Sequence, residues 1–148
     1  GILHEDEEFT PQLMLRAENL YFTNNKAYYY RKREGSIMHK RDKRWHIRRL
    51  SDAEQVLYRL KERVDYLPVK ERIAMERRIA QLTMDHIYNV ITMTHDETHL
   101  NHVLQRLSRH GLFPLPDKDY TSKYKWFRRM TNSSFGRKTL IMMLRLKG

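Results

Sequence analysis

From Ser51 onward the apolar positions follow a helical period. Ala53, Val56, Leu57, Leu60, Val64 and Leu67 fall within about 100° of arc on a helical projection. The run "SDAE" fits a capping box, with Ser51 as N-cap and Glu54 reaching back from the third helical position. The pattern predicts a stop at Leu67, because Pro68 disfavours a helical residue before it. Pro68 also suits the first turn of the next helix, where a missing N–H costs nothing. In that helix Val69, Ile73, Met75, Ile79, Ala80, Leu82, Met84, Ile87, Val90 and Ile91 cover about 200° of circumference, more than one partner helix buries. Arg72 lies within this arc, Arg77 flanks it, and Arg78 is expected to project well away from it. The short connection predicts an antiparallel hairpin over 51–93. A second capping box, "THDE" with Thr94 and Glu97, starts a third helix over 95–110 that presents Leu100, Val103, Leu104 and Leu107. Gly111 fits the position just past its end, with Leu112 as the accompanying apolar contact, and Pro114 and Pro116 exclude continuation.

The predicted fold class is therefore mainly α: an antiparallel two-helix hairpin and a third helix in a core over 50–111. Extended basic arms are expected on both sides, an N-terminal arm over 1–49 and an aromatic C-terminal extension over 112–148. So small a helical core is marginal alone and is expected to be completed by partners.

Charge changes this picture more than composition does. The 148 residues carry 29 Lys plus Arg against 18 Asp plus Glu, a net charge of +11. Arg16 stands against Glu5, Asp6, Glu7, Glu8 and Glu18 in residues 1–25, so the N-terminal arm opens acidic and turns basic over 26–49. The core over 50–117 is nearly balanced, and 118–148 is strongly basic. Cationic arms on a neutral core suit a polyanion, nucleic acid before an anionic membrane surface. The longest apolar run near the C-terminus, Leu140–Leu144, is too short for a membrane span. The absence of cysteine excludes disulfides and thiolate metal sites. The chain opens on Gly1, which is compatible with removal of a targeting segment.

Three clusters mix cations with aromatic rings: "YYYRKR", "HKRDKRWHIRR" and "KYKWFRRM". Guanidinium and ammonium groups neutralise phosphates, and Tyr and Trp rings stack on unpaired bases. The candidate RNA-binding residues are Arg31, Lys32, Arg33, Lys40, Arg41, Lys43, Arg44, Trp45, Arg48 and Arg49, then Arg77 and Arg78, then Lys123, Lys125, Trp126, Arg128, Arg129, Arg137 and Lys138. "THDETHLNH" spaces His95, His99 and His102 along one helix, and "HDETH" has the two-histidine spacing of a zinc-protease helix. Asp96 replaces the general-base Glu of that motif, and no third ligand follows, so solvated or RNA-facing histidines are the expectation. No phosphate loop, nucleophile triad or pair of buried carboxylates is visible. The expectation is a protein without catalysis, cofactor, bound metal or small-molecule substrate.

Two resemblances follow. "IRRLSDAE" is similar to the opening of the large-subunit ribosomal L-twenty-nine family, with Ile47, Arg48, Leu50, Ser51 and Glu54 in the positions of its Leu-Arg-x-Leu-Ser-x-x-Glu run. Pro68, Arg72, Ile73, Arg77, Arg78, Ile79, Ala80 and Leu82 resemble the family's second helix, one residue shorter between the arginine pair and Ile-Ala, with Gln81 in place of an arginine. Membership would imply a helical hairpin on large-subunit rRNA near the polypeptide exit tunnel, beside protein L-twenty-three. The long arms would imply the mitochondrial branch, in the matrix. "LYR", Leu57 to Arg59, resembles the LYR-motif family of mitochondrial adaptors and assembly subunits of respiratory complexes, the alternative reading.

Overall fold

The computed structural model describes residues 3–26, 28–29, 43–118 and 120–145. Among these the protein is mainly helical, with six helices and no strand: α1 (Glu5–Arg16), α2 (Lys43–Val64), α3 (Val69–Thr94), α4 (Glu97–Arg109), α5 (Ser122–Asn132) and α6 (Ser134–Arg145).

Helices α2 and α3 make the most extensive contact between elements. Glu54 of α2 lies beside His86 of α3, whereas Lys61, about two turns further on, shares a cleft with Glu76 and Ile79. The two helices therefore run in opposite directions. Helix α4 runs parallel to α2, because Arg106 meets Glu54 and His110 stacks on Tyr58 one turn later, at 3.7 Å between ring centroids. Helices α5 and α6 fold against each other and cover α3 from the remaining side.

The expected wide apolar arc on α3 is explained by this surround. Met75, Ile79, Ala80, Ile87, Val90 and Ile91 are buried, and Thr83 and His86 join them. Val69 and Ile73, also expected on that face, are exposed at the α3 N-terminus. Thr83 is satisfied inside its own helix by donating to the Ile79 carbonyl at 2.8 Å. All four apolar residues expected on α4 are buried, and the stop at Gly111 is realised as a Schellman motif. Gly111 has φ 65°; its N–H donates to the Ser108 carbonyl at 3.0 Å, and the Leu112 N–H donates to Leu107 at 2.9 Å.

Three expectations are corrected. Helix α2 begins at Lys43, eight residues before the expected cap, so Ser51 is mid-helix and Glu54 is not a capping residue. Nothing between Lys43 and Leu50 breaks a helix, and Leu50 is itself buried in the core. At the start of α4 the cap is Asp96 rather than Thr94, its carboxylate accepting from the Thr98 and His99 N–H groups at 2.8 and 3.1 Å. Finally, the flanks are not simply extended. Residues 5–16 form α1, and much of 112–148 forms α5 and α6, whose Tyr124, Phe127, Leu140 and Ile141 belong to the common core.

Candidate nucleic-acid interface

Helix α5 is fixed by conventional local chemistry. The Thr121 hydroxyl accepts from the Tyr124 N–H at 3.2 Å and caps the helix. Tyr124, Phe127 and Thr131 recur at helical spacing and are buried, which leaves Lys125, Trp126 and Arg129 on the opposite, exposed face. Trp126 is 47% exposed although it is large and apolar. Ser133 caps α6 in the same way, accepting from the Gly136 N–H at 2.9 Å. The two helices meet so closely that a Cβ on Gly136 would lie 2.2 Å from the Met130 carbonyl oxygen. The preceding strap is clamped by α5: Asn132 exchanges two hydrogen bonds with the Leu115 backbone, and the Tyr124 hydroxyl donates to Pro116 at 3.1 Å. Burial above all, with Tyr120 and Asp117 against the opposing Arg128, pushes the Tyr124 phenol up to about 12.

Residues 120–145 hold Lys123, Lys125, Arg128, Arg129, Arg137, Lys138 and Arg145 and no acidic residue. Not all of these cations face outward. Arg128 donates to the Leu115 carbonyl at 3.2 Å and pairs with Asp117 at 2.9 Å. Arg137 donates to the Thr131 carbonyl at 2.9 Å, and Arg145 to the His95 carbonyl. These three hold the fold together, whereas Lys123, Lys125, Arg129 and Lys138 are exposed.

A second cationic face lies on α2 and α3, and it is occupied. Helix α1 runs beside α2. Glu8 pairs with Arg59 at 3.1 Å and Arg63 at 3.6 Å, Gln12 accepts from Arg63, and Glu7 binds Arg78. Arg49 donates to the His4 imidazole at 3.4 Å, and the Leu3 N–H donates to Asp52 at 2.9 Å. Burial first, then the Arg49 charge, lowers the His4 pKa below its ordinary value and keeps the ring an acceptor. No residue of α1 is fully buried; Leu15 packs against the core, and the other large apolar side chains point away from the bundle: Phe9 is 63%, Leu13 51% and Met14 51% exposed. A cleft of about 280 Å³ remains beneath it, lined in part by Glu7, Arg49, Leu57 and His86.

The remaining sequence candidates divide. Arg31, Lys32, Arg33, Lys40 and Arg41 lie outside the described residues, as does the Lys43 side chain. Arg44 is exposed; Trp45 is half-buried with Arg49 over its ring at 5.4 Å; Arg48 pairs with Asp52 at 3.8 Å. Arg77 is exposed and lies over Tyr120 at 5.1 Å. Arg78, expected well away from the apolar arc, lies in the α1 contact, where Glu7 offers it a carboxylate. The sequence reading missed Arg59 and Arg63 as members of a cationic face. The signal was present in the acidic 5–8 run, which needs an opposite charge to settle against.

The LYR residues are engaged internally, Tyr58 by Glu54 and His110, and Arg59 by Glu8. Glu54 is buried between α2, α3 and α4, with Arg106 gripping both its oxygens at 2.7 and 2.9 Å. Burial pushes its carboxyl up, but the Arg106 fork, with His86 and Tyr58, outweighs this and holds it well below the usual carboxylate range. This cluster joins three helices and lines a cleft of about 310 Å³ together with Ser51, Gln55 and His99. Among the described residues no three His, Asp or Glu side chains are placed to hold a metal, and no helix is long and apolar enough to cross a membrane. The chain matches no family model, no curated protein and no solved structure.

Proposed function

We propose that this protein is a structural RNA-binding component of a ribonucleoprotein, specifically of a mitochondrial large ribosomal subunit, with rRNA as its principal partner. The observation that carries the reading is the α5–α6 pair, which has no acidic residue: exposed Lys123, Lys125, Arg129 and Lys138, with an exposed Trp126 between Lys125 and Arg129. Cations at that spacing neutralise phosphate, and an exposed indole among them provides a stacking surface. Burial of Tyr124 and Phe127 holds this face rigid, so little ordering is needed on binding.

Large exposed apolar side chains support an assembly component. Besides Phe9, Leu13 and Met14, these include Tyr21, Phe22, Tyr28 and Tyr29, in residues without regular secondary structure. Surfaces of this kind are covered by neighbours in an assembly. The placement on the large subunit near the exit tunnel, beside protein L-twenty-three, rests on the "IRRLSDAE" and "PVKERIAMERRIAQL" resemblances, with α2 and α3 as the docking hairpin and α4 laid beside it. The α5–α6 face is taken to contribute contacts that a hairpin alone lacks. No catalysis is assigned.

The test is sedimentation of the tagged chain through a gradient of mitochondrial lysate, followed by RNA crosslinking. The reading expects co-migration with the large subunit and crosslinks to its rRNA at Trp126 and its neighbours. Accumulation solely as free protein contradicts it.

A further inference from the structure

Helix α1 is an unusual element to find docked. It carries Pro11 in its interior, where the ring removes a helix hydrogen bond, and its N-cap residue His4 makes no side-chain capping bond. It contributes no fully buried residue; Leu15 alone of its larger apolar side chains packs against the core, while Phe9, Leu13 and Met14 face outward. What fastens it is chiefly charge: Glu7 on Arg78, and Glu8 on Arg59 and Arg63. Those arginines come from two different helices and converge on adjacent carboxylates, the geometry by which guanidinium groups also grip phosphate oxygens. The residues that follow, 17–26, are exposed and without helix, a tether on which α1 can leave the face.

We propose that Arg59, Arg63 and Arg78 form a second RNA-phosphate site, in which the Glu7 and Glu8 carboxylates stand in for phosphate and which opens when α1 lifts away. The inference rests on the RNA-binding reading above and adds to it an internal competitor. Weak, non-specific RNA contacts fail to displace the carboxylates, whereas RNA already held on the α5–α6 face presents phosphate at high local concentration and does displace them. The protein then contacts RNA through both cationic faces, and α1 is free to offer Phe9, Leu13 and Met14 elsewhere.

The test is binding of the full chain to a labelled mixed-sequence RNA hairpin over a salt titration, comparing E7Q/E8Q with a charge-matched control, E18Q/D65N, at exposed carboxylates away from the face. The expected result is binding at least about threefold tighter for E7Q/E8Q than for the control. Its log Kd against log[salt] slope should be steeper by about 1–2, at roughly 0.7–0.9 per phosphate contact. Adding R59A/R63A should abolish the gain, whereas adding R16A/K70A should leave most of it. Coincidence of E7Q/E8Q with the control while both bind RNA overturns this inference alone, as does a gain that survives R59A/R63A. A gain on phosphatidylserine vesicles with none on RNA overturns it too. Failure of every variant to bind RNA overturns the RNA-binding reading along with it.

Discussion

At one end of the chain α1 turns Glu7, Glu8 and Gln12 toward the bundle and Phe9, Leu13 and Met14 away from it. At the other, α5 and α6 turn Tyr124, Phe127, Leu140 and Ile141 inward and Lys125, Trp126 and Arg129 outward. Both flank the same α2–α3 pair, and they differ in what fastens them. Burial of an aromatic side chain contributes several kcal/mol, whereas a solvent-exposed ion pair contributes about 0.2–1 kcal/mol. The acidic element is consequently the one that can come off, and while docked it uses up arginines of the bundle. The basic element is permanent, and because its apolar side does the fastening, Lys123, Lys125, Arg129 and Lys138 stay on its exposed side. On the proposals above, opposite charge on the two flanks marks two different roles, a removable cover and a fixed contact surface.

The contrast breaks most visibly in α5. Phe127→Ala should destabilise the whole fold by about 4 kcal/mol, read as a lower midpoint in chemical denaturation, because it empties a site packed against Tyr88. Gly136→Ala comes next. Its methyl would collide with the Met130 backbone, and a loss of about 2–3 kcal/mol is expected, with the α5–α6 hairpin splaying first. Hydrogen exchange at 122–145 would show it.

Alkali should attack the same region. The Tyr124 phenol is pushed up to about 12 in the folded protein, so the unfolded chain loses that proton first. The stability it contributes is present below about pH 10 and falls as pH rises from there toward 12. Tyr124→Phe should flatten that part of the stability profile.

How much of this was legible beforehand depended on what each segment spends its apolar residues on. Leu100, Val103, Leu104 and Leu107, closed by Gly111, announced α4 because a single stripe faces a single core. In α5 the same period was present in Tyr124, Phe127 and Thr131 behind the Thr121 cap, but cations beside them gave the stretch the look of a solvated arm. Helix α1 turns only Leu15 of its larger apolar residues inward, too little for periodicity to find. Glu54 shows the limit of local reasoning. "SDAE" satisfies the capping pattern, yet the chain upstream is helical too, and Glu54 is drawn into a buried grip by Arg106, fifty-two residues away. Two of the three arginines of the covered face, Arg59 and Arg63, could be found only by asking where the acidic 5–8 run would settle.

Smaller effects sharpen the other side of the contrast. Glu8→Gln should cost the global fold less than about 1 kcal/mol, yet raise exchange across 5–16 selectively, since it removes contacts to Arg59 and Arg63 that lie near solvent. Acid should act at the same place. The His4 pKa lies below its ordinary value of 6.5, so the unfolded chain takes up that proton first. The docking it supports is present above that value and weakens as pH falls through it, for protonation sets a second positive charge against Arg49. After correction for intrinsic rates, exchange protection in α1 should drop between neutral and mildly acidic pH while that of α4 stays constant.

The central claim is that the outward face of α5 is an RNA contact surface, and salt-dependent RNA binding by the full chain tests it most directly. Charge reversal of Lys125 and Arg129 should weaken binding at least about tenfold and lower the salt slope by roughly 1.5, two phosphate contacts at about 0.7–0.9 each. The same reversal at the exposed Arg16 and Lys70 should change both far less. Equal losses from the two pairs, or binding indifferent to salt, would contradict the account.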